Sequence, residues 1–233
     1  MADLTAAGFF DLDSYAHRAL FADNEPVWTA LGPRLDAYLA AWTEWTDPAA
    51  LPAGVHVIAG PVAVAPGCRV EPGAVLRGPL ILGAGTEVRT GAYLRGGVVA
   101  GAGCVIGAHS EVKRAVLLDR AHAPHQNYVG DSILGADVNL GAGTILSNVK
   151  NVGDEVTFPC DGRTEHTGLR KFGAVLGDGC RTGCNTVTNP GVLMARGCVT
   201  YPGACLRSGY YPARTLVKVR QAQQQMALER LRS

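Results

Sequence analysis

Aliphatic residues recur through the middle of the chain at every sixth position: Val64, Val70, Leu76, Leu82, Val88, Leu94, Ala100, Ile106, Val112 and Leu118. A glycine follows most of them three places later (Gly67, Gly73, Gly85, Gly91, Gly97, Gly103). A small or compact residue comes four places later (Cys68, Ala74, Thr86, Ala92, Val98, Cys104, Ser110). The pattern resumes at Leu134, Leu140 and Leu146, then runs more weakly from Leu176 through Thr182, Thr188, Met194, Thr200 and Leu206. A period of six suits neither an α-helix nor a simple alternating strand; it suits a short strand and a turn, repeated. Glycine gives the turn its positive φ without a Cβ clash, while the aliphatic and the small residue point inward. Three hexads make one triangular coil, and stacked coils lie roughly 4.8 Å apart as parallel strands. The pattern therefore predicts a mainly β chain built as a β-solenoid over 51–211.

The flanks carry other patterns. Val27, Leu31, Leu35, Leu39 and Trp42 have helical spacing, which predicts a helix over Pro26 to Trp42 with a shorter one over Asp13 to Phe21. Residues 1–50 thus read as an N-terminal helical segment, 47–63 as a proline-rich transition and 212–233 as a C-terminal helix. Covering the open ends of the solenoid is the simplest role for both flanks. The hexad register breaks twice, predicting loops at 119–127 and 149–171. The second holds Asp161-Gly162, a strong hairpin signal.

Composition narrows the classes. The chain has 233 residues and a net charge of +1, which excludes a chain-wide electrostatic footprint for nucleic acid or anionic lipid. Proline and glycine interrupt every apolar run short of a membrane span, and Met1-Ala2-Asp3-Leu4 carries no secretory pattern. The 7 cysteines include no CxxC pair, which points to a reduced, cytoplasmic setting. Cys68, Cys104, Cys180 and Cys198 fall in the small inward slot, where packing explains them.

One chemical feature follows from the period alone. Arg77, Arg95 and Lys113 each stand one place after an inward aliphatic and one full coil apart, so regular stacking makes them a basic column. Such a column is either a solvated charged face or a strip that binds phosphate or another anion.

The hexads, together with Pro124-His125-Gln126-Asn127-Tyr128-Val129-Gly130-Asp131 and Asn139-Leu140-Gly141-Ala142-Gly143-Thr144 through Asn148, resemble the left-handed β-helix acetyltransferases. The likeness is strongest to the C-terminal domain of bifunctional N-acetylglucosamine-1-phosphate uridyltransferases/glucosamine-1-phosphate N-acetyltransferases. The stretch Thr167 to Asp178 resembles the archaeal sugar-1-phosphate nucleotidylyltransferases. The resemblance covers about 55–210 and implies a left-handed coil, a homotrimer and acetyl-CoA as co-substrate at sites shared between subunits. It implies His125 as general base, Glu111 as an acid beside it and Asn148 at the acetyl site. Arg95, Lys113 and Lys171 would hold the sugar phosphate, with Tyr128 and Asn139 as further substrate contacts. Ala142, Cys184 and Pro202 would line the acetyl-CoA groove through main-chain atoms. The nucleotidyltransferase domain of that family has no counterpart here. Lysines of the archaeal branch are replaced by Asp154 and Thr157, which leaves the sugar open.

The reading is thus an acetyl-CoA-dependent N-acetyltransferase acting on an amino-sugar phosphate, glucosamine-1-phosphate first, with no metal, nucleic-acid or membrane partner. Alternatives are a different amino sugar or a sugar hydroxyl as acceptor, or a non-catalytic sugar-nucleotide-binding scaffold. A zinc lyase of the carbonic anhydrase type would need three converging histidines; His109, His122 and His125 do not have that family's spacing.

Overall fold

The computed structural model describes residues 1–220. From His56 to Val217 the chain winds through three parallel sheets in turn. The first contains Val75–Arg77, Tyr93–Arg95, Glu111–Lys113, Tyr128–Gly130 and Ile145–Leu146, and the second Leu80–Leu82, Val98–Ala100, Ala115–Leu117, Ile133–Leu134 and Ala174–Leu176. The third contains Arg69–Val70, Glu87–Val88, Val105–Ala108 and His122–His125. Each of the first two sheets has 8 strands, so the fold is a β-solenoid as the hexads predict.

The inward aliphatics form one continuous core, Leu76, Leu82, Val88, Leu94, Ile106 and Val112 among them, all fully buried. The glycine position of each hexad has positive φ, as at Gly85 (φ 68°) and Gly103 (φ 64°). The small slot does more than leave room. Thr86 Oγ1 donates to the Gly101 carbonyl (2.9 Å), Cys104 Sγ to Leu118 (3.1 Å) and Cys180 Sγ to Ala195 (3.1 Å), so the slot side chains bond the adjoining coil. Burial pushes the Cys104 thiol up to about 12, consistent with an inert packing role.

Two expectations about register are corrected. Leu117, not Leu118, is the inward residue, pairing with Ala100 and Leu134, because the step from Val112 is one residue short. Nor is 119–127 a loop: His122–His125 is a third-sheet strand paired with Val105–Ala108, and Ala123 lies in the core. Past a bulge inside the strand His56–Ala59, every departure from six falls at one corner, where the first sheet passes to the second. The inward residues step from Val112 to Leu117, Val129 to Leu134, Leu146 to Leu176, and Leu206 to Tyr211.

The 149–171 interruption is a genuine excursion. Thr157–Cys160 and Arg163–His166 form an antiparallel hairpin around Asp161 and Gly162, both with positive φ. The hairpin folds back on the body, with Phe158 buried edge-on against Trp28 at 5.3 Å.

The N-terminal segment also differs from expectation. Among the described residues the only α-helix is α1, Pro33–Ala40; Val27–Ala30 is a 3₁₀ turn, and Gly32 (φ 62°) separates the two. Asp13 to Phe21 holds only the 3₁₀ turn Arg18–Leu20. The apolar spacing has another cause: the segment lies flat along the outside of the second sheet instead of capping an end. Phe9, Phe10, Tyr15, Leu20, Trp28, Leu35 and Leu39 pack there against the outward Ile81, Val99, Val116, Ile133, Val175 and Leu193. At the other end, Leu216–Val217 still pairs as a strand, so no helix begins at 212; the expected helix beyond lies outside the described residues. No helix among the described residues is long and apolar enough to cross a membrane.

Two predictions follow from this cover. Trp28 is 3% exposed and also lies 6.2 Å from the Phe172 ring, so Trp28→Ala should cost about 3–5 kcal/mol in urea unfolding. His17 is buried with Nδ1 2.8 Å from Tyr38 Oη, and burial lowers its pKa from 6.5, partly opposed by the charge of Asp119. The unfolded chain therefore takes the proton more readily, and the stability that neutral His17 contributes is present above about pH 6.5 and lost below it. Urea titrations from pH 7.5 to 5 should show a steeper fall for the native chain than for His17→Gln.

Candidate functional site

The first sheet presents two outward columns, because side chains on either side of an inward residue both point out. The leading column runs Tyr93, Glu111, Tyr128, Ile145 and the trailing one Arg77, Arg95, Lys113, Gly130. Arg77 pairs in register with Arg95, and Val112 beside Lys113 pairs with Leu94 beside Arg95. The basic column is therefore real, but it is not a row of bare cations.

Two of its members have carboxylate partners. Arg95 Nη1 lies 2.5 Å from Glu111 Oε1, and its guanidinium carbon is 5.9 Å from the Tyr93 ring centre. The hydrogen bond and charge of Glu111 raise the Arg95 pKa. This pair is 43% and 33% exposed, so holding it closed contributes little, about 0–1 kcal/mol. Lys113 Nζ donates to Asp131 Oδ2 at 2.7 Å, with the side chains 12% and 6% exposed. Breaking a pair buried to that degree costs several times more. Arg77 makes no ion pair among the described residues.

Asn148 joins the second pair: its Nδ2 donates to Asp131 Oδ2, and its Oδ1 accepts from Tyr128 Oη at 3.4 Å. Burial, then the charges of Glu111 and Asp131, raise the Tyr128 pKa, so the phenol stays protonated as a donor. Lys171 is exposed beside this group; the next residue, Phe172, donates its N–H to the Asn148 carbonyl at 3.0 Å.

His125 ends its third-sheet strand at the corner leading to Tyr128. The corner is held by Asn127, 2% exposed, whose Oδ1 accepts from the His125 N–H (3.0 Å) and whose Nδ2 donates to the Gly141 carbonyl (2.8 Å). The imidazole is exposed and makes no hydrogen bond among the described residues; Glu111 meets Arg95 instead. Successive coils place Ala142, Cys184 and Pro202 in line with His125. The His125 carbonyl accepts from Gly143 (3.0 Å), that of Ala142 from Asn185 (2.8 Å) and that of Cys184 from Gly203 (2.8 Å). Asn139 stands three residues before Ala142, bridged to His122 and Arg181 on the third sheet, away from the cation column.

The sequence thus brings together Arg95, Lys113, Glu111, Tyr128 and Asn148 on one sheet, and His125, Ala142, Cys184 and Pro202 along its edge. Asn127 and Asp131 stood in the Pro124 to Asp131 motif without a role assigned, and nothing in the sequence marked Arg114. In the fold, His109, Arg114, Arg120, Gln126, Asp131 and Asp137 hold positive φ at corners where glycine serves elsewhere. A cavity of about 460 Å³ lies elsewhere, between Trp42, Trp45, His17 and the second sheet. No group of three or more His, Cys, Asp or Glu side chains converges to hold a metal ion among the described residues.

Comparisons with known proteins find similarity to part of this chain. Residues 76–161 match the family model described as the GMPPB C-terminal domain. A bifunctional sugar-1-phosphate nucleotidylyltransferase/acetyltransferase of Sulfurisphaera tokodaii is 42% identical over 99 residues, covering 42% of this chain and 25% of that protein. A bifunctional protein GlmU of Methanococcus vannielii is 41% identical over 87 residues, 37% of this chain and 21% of that one. The chain thus spans about a quarter or less of the curated relatives it matches. A solved hexapeptide transferase family protein from Anaplasma phagocytophilum is 14% identical, covering 74% of this chain and 84% of that one at a TM-score of 0.27.

The tightness of the Tyr128–Asn148–Asp131 group is directly testable at Gly130. A Cβ there would sit 2.6 Å from Tyr128 Oη and 2.8 Å from Asn148 Nδ2. Gly130→Ala should destabilise by about 1–3 kcal/mol in urea unfolding, with part of the loss recovered in a Tyr128→Ala background.

Proposed function

We propose that the chain is an acetyl-CoA-dependent N-acetyltransferase acting on an amino-sugar phosphate, with glucosamine-1-phosphate the first acceptor to test. The observation that carries this is the junction at one edge of the first sheet. There the exposed imidazole of His125 continues the line of Ala142, Cys184 and Pro202, and the cations stand across the same sheet. That arrangement suits a thioester laid along the edge and an anion held on the face.

In this reading the sugar phosphate lies on Arg77 and Arg95, with Lys113, Lys171 and Tyr128 around it. The phosphate displaces Glu111 from Arg95, an exchange made easy by the exposure of that pair. The amine nitrogen attacks the thioester carbonyl, forming the C–N bond, while His125 takes the amine proton. As the tetrahedral intermediate collapses the C–S bond breaks, and the proton passes to the departing sulfur. Asn148 has its amide nitrogen turned to Asp131. The N–H groups of Ala142 and Cys184, which have no partner among the described residues, are better placed to meet the oxyanion.

Assembly belongs to the same proposal. The second sheet is covered in cis, so subunits of a homotrimer would meet through the other faces and bring Asn139 from one subunit to the site of its neighbour. All 7 cysteines are free thiols, in keeping with a reducing, cytoplasmic setting.

The test is thiol release from acetyl-CoA across a panel of amino-sugar phosphates. The native chain should turn over at least one of them, and His125→Ala should lose about 10²–10⁴-fold in kcat. Near-native turnover by that variant would overturn the assignment. Glu111→Gln should bind the sugar phosphate about two- to fivefold more tightly by calorimetry, since it no longer competes for Arg95.

A further inference from the structure

Asp131 was assigned no part in the chemistry above, yet more of the site depends on it than on any single cation. It sits at a shortened corner with φ 47°, a conformation costly for a residue with a Cβ. Aspartate is among the few side chains that adopt this region, and Arg114 (φ 45°) holds it at the same place one coil earlier. Its main chain is fixed on both sides: its N–H donates to the Lys113 carbonyl (3.0 Å), and its own carbonyl accepts from Gly173 (2.8 Å). The side chain is 6% exposed.

Oδ2 accepts from both Lys113 Nζ and Asn148 Nδ2. Oδ1 faces Arg114 Nε at 3.7 Å, and Arg114 Nη2 reaches on to Asp36 of α1 at 2.9 Å. One buried carboxylate thus sets the ammonium of Lys113 and the amide orientation of Asn148. Through the Asn148 oxygen it also sets the hydroxyl of Tyr128. Arg114 carries the connection on to the segment covering the second sheet.

We propose that Asp131 is the positioning residue of this site. It holds Lys113 and Asn148 in their working orientations and touches no substrate itself. Its catalytic consequence rests on the acetyl-transfer reading; the geometric consequence does not. A fixed carboxylate loses little when replaced as a counter-charge, because freeing Lys113 leaves the face more positive. It loses much as a template, since misplacing a site group by about 1 Å can cost 10²-fold.

Asp131→Asn separates these effects. In the native chain the side-chain amide resonances of Asn148, assigned by their loss in Asn148→Asp, should be shifted from ordinary asparagine positions and protected from exchange. In Asp131→Asn they should move to ordinary positions. The Kd for glucosamine-1-phosphate should be unchanged or lower by calorimetry, while kcat falls by about 10²-fold. If Asp131→Asn fails to fold, Asp131→Gly removes the carboxylate at a φ that glycine adopts freely and should show the same movement of the Asn148 resonances and the same loss of kcat. Unmoved Asn148 resonances, or a folded variant with native kcat, would overturn the proposal. If the native chain shows the Asn148 signature but neither binds nor acetylates any amino-sugar phosphate, the acetyl-transfer reading fails and the positioning role stands.

Discussion

The vertical register of one coil upon the next is the constraint from which the rest of the molecule follows. Each strand donates and accepts hydrogen bonds with the coils on either side, and a slip of one residue would turn every inward aliphatic toward water. The chain holds that register with inward Leu, Val and Ile side chains, with positive-φ corners, and with slot side chains such as Thr86 and Cys104 bonded to the adjoining coil. Residues far apart in sequence become neighbours only because of it. Arg77 and Arg95 share a register position, as do Glu111 and Tyr128.

Electrostatics then divides the cation column into unlike parts. Arg95 and Lys113 read identically along the sequence, one place after an inward aliphatic. In the folded chain, Arg95 is held by an exposed carboxylate that an incoming anion can displace, whereas Lys113 is held by a buried one that it cannot easily displace. A column that looks uniformly basic thus contains an exchangeable cation and a locked one. The locked one belongs to a hydrogen-bonded network with Asn148 and Tyr128.

Much of this was legible in the sequence, and the failures have physical causes. The hexads fixed the solenoid and the basic column, and Asp161-Gly162 marked the hairpin. Leu118 misled because it is apolar for a different reason: it faces the N-terminal cover, while Leu117 fills the core. The spacing of Val27, Leu31 and Leu35 likewise reflected a segment pressed on a sheet, which needs apolar residues at similar intervals without a continuous helix. The carboxylates were illegible because their partners are set by tertiary neighbours. Glu111 reaches Arg95 across a strand pair, and Asp131 reaches Lys113 only where a corner has shortened.

The confinement of every length change after the first coil to a single corner has a consequence for how such a chain can vary. Two edges of the prism act as fixed rails, one of them carrying His125, Ala142, Cys184 and Pro202 at constant pitch. The remaining edge absorbs a deletion at Arg114 or a whole hairpin after Leu146 without disturbing the other two. Lineages could therefore remodel what lies beside the cations, residue by residue or by grafting a new excursion, while the opposite rail stays machined to one gauge.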